Sequence, residues 1–219
     1  FRRVLFRSLG FAWYVVFVFS VVLHEAAHAW AASRFGDRTA SDQVTLDPLP
    51  HIRREPFGMI VLPVISFILF GWMVGWASTP YDPFWAARKP RRAALMALAG
   101  PAANLLLVVT AGILLHVGLR QGVFVLARDL DPTAIFRGYE EGPWTAAAIV
   151  LSILFTLNLV LLVFNLLPLP PMDGTAIVEL LLPLNLVQRY HEALANPGFR
   201  IIGLFVAWNV FHILFDRIF

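Results

Sequence analysis

Cysteine is absent from the 219-residue chain. That absence excludes disulfides, thiolate metal sites and cysteine nucleophiles together, and leaves the redox compartment open. Charge is scarce as well: Asp, Glu, Lys and Arg make up 14% of the residues, against about 25% in an ordinary soluble domain. With 59% apolar residues, so little polar surface could not clothe a globule in water, and the chain reads as an integral membrane protein. The formal net charge of +3 is small. In a membrane protein such an excess marks cytoplasmic loops, and nucleic-acid binding is a poor second reading. Internal repeats and low-complexity tracts are missing too. The only large polar insert, 119–143, is too short for a second folded domain, so 9–219 is expected to form one domain. The first eight residues, FRRVLFRS, are set aside as a non-native scar, because a common sequencing-adapter read encodes that peptide.

What is present is a series of long apolar runs. A spanning helix needs about 20 predominantly apolar residues. Runs at 9–33, 93–118, 144–167 and 199–217 qualify, and a short helical pattern occupies 174–193. The run at 57–78 is interrupted by Pro63, Gly71 and Gly75. Between the first two runs, DQVTLDPLPHIRREP has the β-branched and proline punctuation of short strands or loops and is not expected to be helical. The fold class expected is an all-α polytopic membrane protein, with a short β/loop insertion after the first span. Trp72, Trp76, Trp85 and Trp144 lie near span ends and read as interfacial anchors. Arg88, Lys89, Arg91 and Arg92 read as a topology signal at the membrane surface, with a specific lipid-binding role as the alternative.

Inside the first run stands HEAAH, residues 24–28. On a helix, His24 and His28 share one face, so both imidazoles can reach a single metal ion. Glu25 is rotated by about 100°, within reach of a water on that metal without ligating it. Zinc hydrolases use this arrangement: two histidine ligands, and a carboxylate that takes a proton from the bound water. Three ionisable residues at ligand spacing in an apolar helix are hard to keep for packing alone, because each costs several kcal/mol in a bilayer unless paired or facing a cavity.

A hydrolytic zinc site normally has a third protein ligand. His51, His116, His191 and His212 are weak candidates, in polar segments or near span ends. Asp173 stands apart, following Pro168, Pro170 and Pro171 and preceding Gly174. Broken helices at membrane depth are tolerated where the backbone faces protein or a wet cavity. A carboxylate there can ligate zinc, or it can cap the following helix, and both roles are compatible.

HEAAH (24–28), AGPAANLLL (99–107) and FNLLPLPPMDG (164–174), in that order and spacing, resemble the site-2 protease family of intramembrane zinc metalloproteases, in particular its small bacterial and archaeal members. The resemblance implies His24, His28 and Asp173 as zinc ligands, Glu25 as general base and Asn165 as the group that polarises the scissile carbonyl. It makes Gly100, Pro101 and Asn104 a packing motif. It also implies a multi-pass protein of a prokaryotic plasma membrane that cuts transmembrane substrates in regulated intramembrane proteolysis. The chain departs from the pattern at HIRREPFG (51–58), where relatives carry an acidic residue and a proline sooner after the histidine, and His51 is left without a role. A substrate helix must unwind before it can be cut, and a strand near 43–47 could hold it extended by edge addition.

Two other classes compete: a metal-ion transporter using the His/Asp cluster as a transport site, and a catalytically dead scaffold. A transporter would usually show inverted repeats, and a dead scaffold would usually have lost Glu25 or a ligand. Topology adds one expectation. Asp173 can meet His24 and His28 only if one apolar run fails to cross. The interrupted run at 57–78 is therefore expected to be re-entrant, with Arg34, Arg38, Arg53 and Arg54 on the same, cytoplasmic side as Arg88–Arg92.

Overall fold

A computed structural model describes residues 2–128, 131–194, 198–199, 201–203, 205–206 and 209–210. The apolar runs fold as long helices: α1 (Arg2–Arg34), α5 (Pro90–Arg120) and α6 (Pro143–Asn165). Each contains a stretch long and apolar enough to cross a membrane, in α1 Ser8–Arg34. With only a small two-stranded sheet beside them among the described residues, the chain is an all-α polytopic membrane protein. Both α5 and α6 begin at proline, whose missing N–H is no loss at a first helical position. The expected span at 199–217 lies for the most part outside the described residues.

The chain divides into two compact units. The first comprises Phe1–Leu23, Leu46–Ser78 and Asn104–Leu159, and the second His24–Thr45, Thr79–Ala103 and Val160–Phe219.

In the first unit the interrupted run makes a hairpin. A π-helical turn (Phe57–Val61) leads into α3 (Leu62–Phe70), which ends at Gly71 in the left-handed region (φ 80°). These 14 residues rise about 21 Å, short of a hydrocarbon core of about 30 Å. The chain then doubles back. Val74 N–H donates to Ser66 Oγ at 2.9 Å and Trp76 N–H to Gly58 O at 3.2 Å. A Cβ on Gly75 would overlap the Gly58 carbonyl, and one on Gly58 the Trp76 carbonyl. The two limbs of the hairpin can therefore approach this closely only at glycines, and the run at 57–78 folds back on itself.

Three polar side chains hold the long helices together in the same unit. Asn104 Nδ2 of α5 donates to Asn158 Oδ1 of α6 at 2.8 Å, and Asn158 Nδ2 donates to Ser20 Oγ of α1 at 2.9 Å. All three residues are completely buried. The polar insert carries the sheet, β1 (Phe124–Leu126) antiparallel to β2 (Phe136–Gly138), with Phe124 opposite Gly138. Phe124 packs on Leu115 and Ala148, and Trp13 Nε1 of α1 donates to Thr133 Oγ1 at 3.2 Å.

Two expectations are corrected. Residues 43–47 form no strand: a 3-10 turn covers Ser41–Gln43 and α2 follows at Pro48–Arg54. The helix starts there because Asp47 Oδ1 accepts Leu49 N–H at 2.9 Å and Pro48 stands at the first helical position. Edge addition to a strand at 43–47 falls with it. Trp85 is a core residue and no anchor. It is 3% exposed, packs with Ala31, Ala32, Ala40, Ala93 and Met96, and donates Nε1 to Phe35 O at 3.3 Å. It is carried by α4 (Pro83–Arg88), whose N-cap Asp82 accepts Phe84 N–H.

Candidate metal centre

The second unit brings the ligand candidates together. His24 and His28 face the same way from α1, their Nε2 atoms 2.9 Å apart. Asp173 arrives from the proline-broken segment after α6, and its Oδ2 lies 3.2 Å from both Nε2 atoms. One ligand atom from each residue falls within 4.8 Å of the others, the only such grouping among the described residues. The histidines are buried, and the Asp173 side chain is 22% exposed.

The capping alternative for Asp173 is not what the geometry shows. Asp173 precedes α7 (Gly174–Val178) but makes no side-chain cap hydrogen bond. Its carboxylate turns to the imidazoles. Gly174 allows the sharp return, since a Cβ there would overlap the carbonyls of Leu166 and Leu167. The helical pattern at 174–193 is thereby two helices, α7 and α8 (Leu184–Leu194), parted around Pro183. Tyr190 of α8 donates its hydroxyl to Thr175 O at 3.1 Å, which holds α8 to the segment carrying Asp173.

The donor set fits a cation. His28 Nδ1 lies 2.9 Å from Met96 O. A carbonyl only accepts, so Nδ1 carries the hydrogen and Nε2 presents a bare lone pair. That lone pair, the His24 Nε2 and an acceptor-only carboxylate oxygen converge, and Asp173 Oδ2 is buried without a hydrogen-bond donor. Gly100 of α5 leaves the space in front of them open: a Cβ there would overlap His28 Nε2 and come within 2.5 Å of His24 Nε2. Two histidines and a carboxylate are a zinc-type donor set.

Glu25 is buried, 7% exposed, and is not one of the three converging groups. Its backbone carbonyl accepts the Thr79 hydroxyl at 3.3 Å. Asn165 closes α6, half-buried and without a side-chain hydrogen bond among the described residues. His51 is buried in α2 of the other unit and His116 stands on α5 beside Arg120; neither joins the cluster. The side chains of His191 and His212 lie outside the described residues. Sequence reasoning missed Asn158 and Ser20, although a polar residue inside an apolar helix is a signal in itself, and it saw in Gly100 only packing.

The chain is similar to known proteins over most of its length. Residues 12–130 match the family described as Peptidase family M50. The chain is 35% identical to the "Putative zinc metalloprotease YwhC" of Bacillus subtilis (strain 168), over 94% of its own length and 89% of that protein's. It is 33% identical to the "Putative zinc metalloprotease Rip2" of Mycolicibacterium smegmatis, over 73% of this chain. The Mycobacterium tuberculosis protein of the same name is 32% identical over 73% of this chain. The chain spans about half the length of these last two, 53% of each. No solved structure matches the chain.

Proposed function

The chain belongs to peptidase family M50, the site-2 protease family, and on that premise we propose that it is a zinc-dependent intramembrane protease. It hydrolyses peptide bonds in or beside transmembrane segments of other membrane proteins. The observation that carries this reading is the convergence of His24, His28 and Asp173 on one point in a membrane protein.

His24 Nε2, His28 Nε2 and the Asp173 carboxylate would hold the zinc. A bound zinc ion would lower the pKa of a water ligand to about 7 and would polarise the scissile carbonyl. Glu25, next to His24 on α1 and turned by about 100°, receives the proton of the attacking water and returns it to the leaving amine. Asn165 donates its side-chain amide to the oxyanion that develops on the carbonyl, a contribution typically worth about 10²–10³ in rate. The Met96 carbonyl keeps His28 in the tautomer that leaves Nε2 free. The site lies in a prokaryotic plasma membrane and supports regulated intramembrane proteolysis.

Zinc content by mass spectrometry, together with cleavage of single-span substrates in detergent or liposomes, tests the reading. Wild type should hold about one zinc and cleave. Substituting His24, His28 or Asp173 by Ala should lower zinc, whereas Glu25→Gln should keep zinc and lose hydrolysis. Full zinc occupancy in Asp173→Ala would remove that residue from the ligand set. Zinc uptake into liposomes without cleavage would replace the reading by transport.

A further inference from the structure

The second unit gathers cations that are separate in sequence. The end of α1 and the start of α5 meet there: Arg92 Nη1 donates to Phe35 O at 3.1 Å, and Lys89 Nζ lies 3.7 Å from where a Cβ on Gly36 would stand. This places Arg34 and Arg38 beside Arg88, Lys89, Arg91 and Arg92, all six exposed. The carboxylates within 34–38 and 79–92 do not balance them. Asp37 is buried, 2% exposed, and accepts the backbone N–H groups of Thr39 and Asp82 at 2.8 and 2.9 Å. Asp82 is used as the N-cap of α4, with its other oxygen 4.0 Å from Arg88. The side chain of Asp42 lies outside the described ones. Buried or capping carboxylates hold the backbone in place and leave the outward field to the arginines and Lys89.

Apolar side chains stand out of the same segments. Phe84, the second residue of α4, is 74% exposed, and Tyr81 and Trp30 are also exposed. The Arg34 guanidinium lies 5.8 Å from the centre of the Trp30 ring. A soluble protein gains nothing by exposing Phe beside a block of arginines. At a membrane boundary the aromatic rings enter the acyl–headgroup zone while the cations meet headgroup phosphates. Arg34 ends α1 and Arg91 and Arg92 stand in the first turn of α5, two helices long and apolar enough to cross the bilayer, and α4 with Phe84 directly precedes α5.

We propose that Arg34, Arg38, Arg88, Lys89, Arg91 and Arg92, with Phe84, Tyr81 and Trp30, form a binding site for the headgroups of anionic phospholipids. The anion is supplied by the lipid itself: a phosphate at the depth where the aromatic rings are buried. A free phosphate would meet only the cations, and an acidic polypeptide would make no use of the exposed rings of Phe84, Tyr81 and Trp30. The site is independent of whether the metal centre hydrolyses peptides.

The test uses the full chain purified in mixed micelles holding equal mole fractions of phosphatidylglycerol and phosphatidylcholine, with retained lipid counted by native mass spectrometry. Wild type should retain phosphatidylglycerol over phosphatidylcholine by about tenfold or more, since each surface cation contributes severalfold. R88Q/K89Q/R91Q/R92Q should bring the two lipids to parity, and the charge-keeping R88K/R91K/R92K should not. R120Q/R128Q/R137Q, in the polar insert, should leave the preference intact. Raising ionic strength on wild type from about 0.01 to 1 M shortens the Debye length from about 30 to 3 Å and should abolish the preference, which keeps the test open if the quadruple variant fails to fold. Equal retention of the two lipids by wild type would overturn the proposal, as would an undiminished preference in the quadruple variant. Displacement of phosphatidylglycerol by millimolar inorganic phosphate would reduce the patch to an ion site. Displacement by polyglutamate alone would reassign it to an acidic protein partner.

Discussion

At the scale of single residues, the metal centre depends as much on a missing atom as on the atoms present. Gly100 sits mid-helix in α5, where alanine would ordinarily stabilise by about 0.5–1 kcal/mol. Its Cβ would overlap His28 Nε2. Gly100→Ala should therefore keep or raise helix content yet lose most bound metal, read by circular dichroism and mass spectrometry on one sample. Gly112→Ala, on the same helix, is the contrast: its Cβ would meet Phe155 at an ordinary 3.5 Å, so metal should be unchanged. Equal metal content in both would remove Gly100 from the site. Asn165 makes a different prediction. Its side chain has no hydrogen bond among the described residues to lose, so Asn165→Ala should fold and hold zinc as wild type while cleaving about 10²–10³ more slowly. Unchanged turnover with a lowered melting temperature would make it a packing residue. His24, Glu25 and His28 could be picked out from spacing alone because four residues on a helix always share a face. Gly100 could not be given its role that way, since which atom a glycine spares depends on a partner helix.

Elements show where local rules hold and where contacts override them. Pro63, Gly71 and Gly75 marked 57–78 as a poor span, and the hairpin follows from the same residues: Gly71 takes a positive φ and Gly75 lies against a carbonyl. The segment after α1 was misread because Val44 and Thr45 suggested a strand, while Asp47-Pro48 is an N-cap followed by a first-position proline. Trp85 looked like an anchor by position, and only the packing of α1 on α4 and α5 puts it in the core. The Asn104–Asn158–Ser20 chain makes a prediction at this scale. Interhelical hydrogen bonds in membranes average about 0.6 kcal/mol and reach about 1.7. Asn158→Ala breaks bonds to both α1 and α5 and should cost at the upper end of that range in reversible unfolding. Asn104→Ala should also destabilise, since it removes the donor to Asn158. The double variant should fall short of the sum; strict additivity would mean that the two side chains do not act as one network.

For the whole molecule, the decisive question is which segments share a side of the membrane. Phe35 O accepts from both Trp85 and Arg92, so the turn after α1 and the start of α5 lie at one surface. The polar insert follows the C-terminal end of α5. Positive-inside bias then favours the cytoplasm for the side of Arg34, Arg38 and Arg88–Arg92. Single cysteines are easily placed in this cysteine-free chain. Ser41→Cys and Ala87→Cys, both at exposed positions, should react alike with an impermeant reagent in intact cells, and Tyr139→Cys in the insert should react oppositely. Labelling of Ser41→Cys and Ala87→Cys from opposite sides would turn the hairpin into a full crossing.

Composition alone determined that the chain is a membrane protein, because the lack of charge is a property of residue counts and no folding can supply a polar surface that the residues do not contain. Local spacing determined the face shared by His24 and His28 and the weak point at 57–78, because helical periodicity and the conformations of Pro and Gly act within a few residues. The meeting of Asp173 with residues 145 or more positions away is different. So are the space left by Gly100, the Met96 carbonyl on His28 and the union of two basic segments. Each joins atoms from separate helices. Those distances follow from how the helices pack, and no stretch of the chain taken by itself contains them.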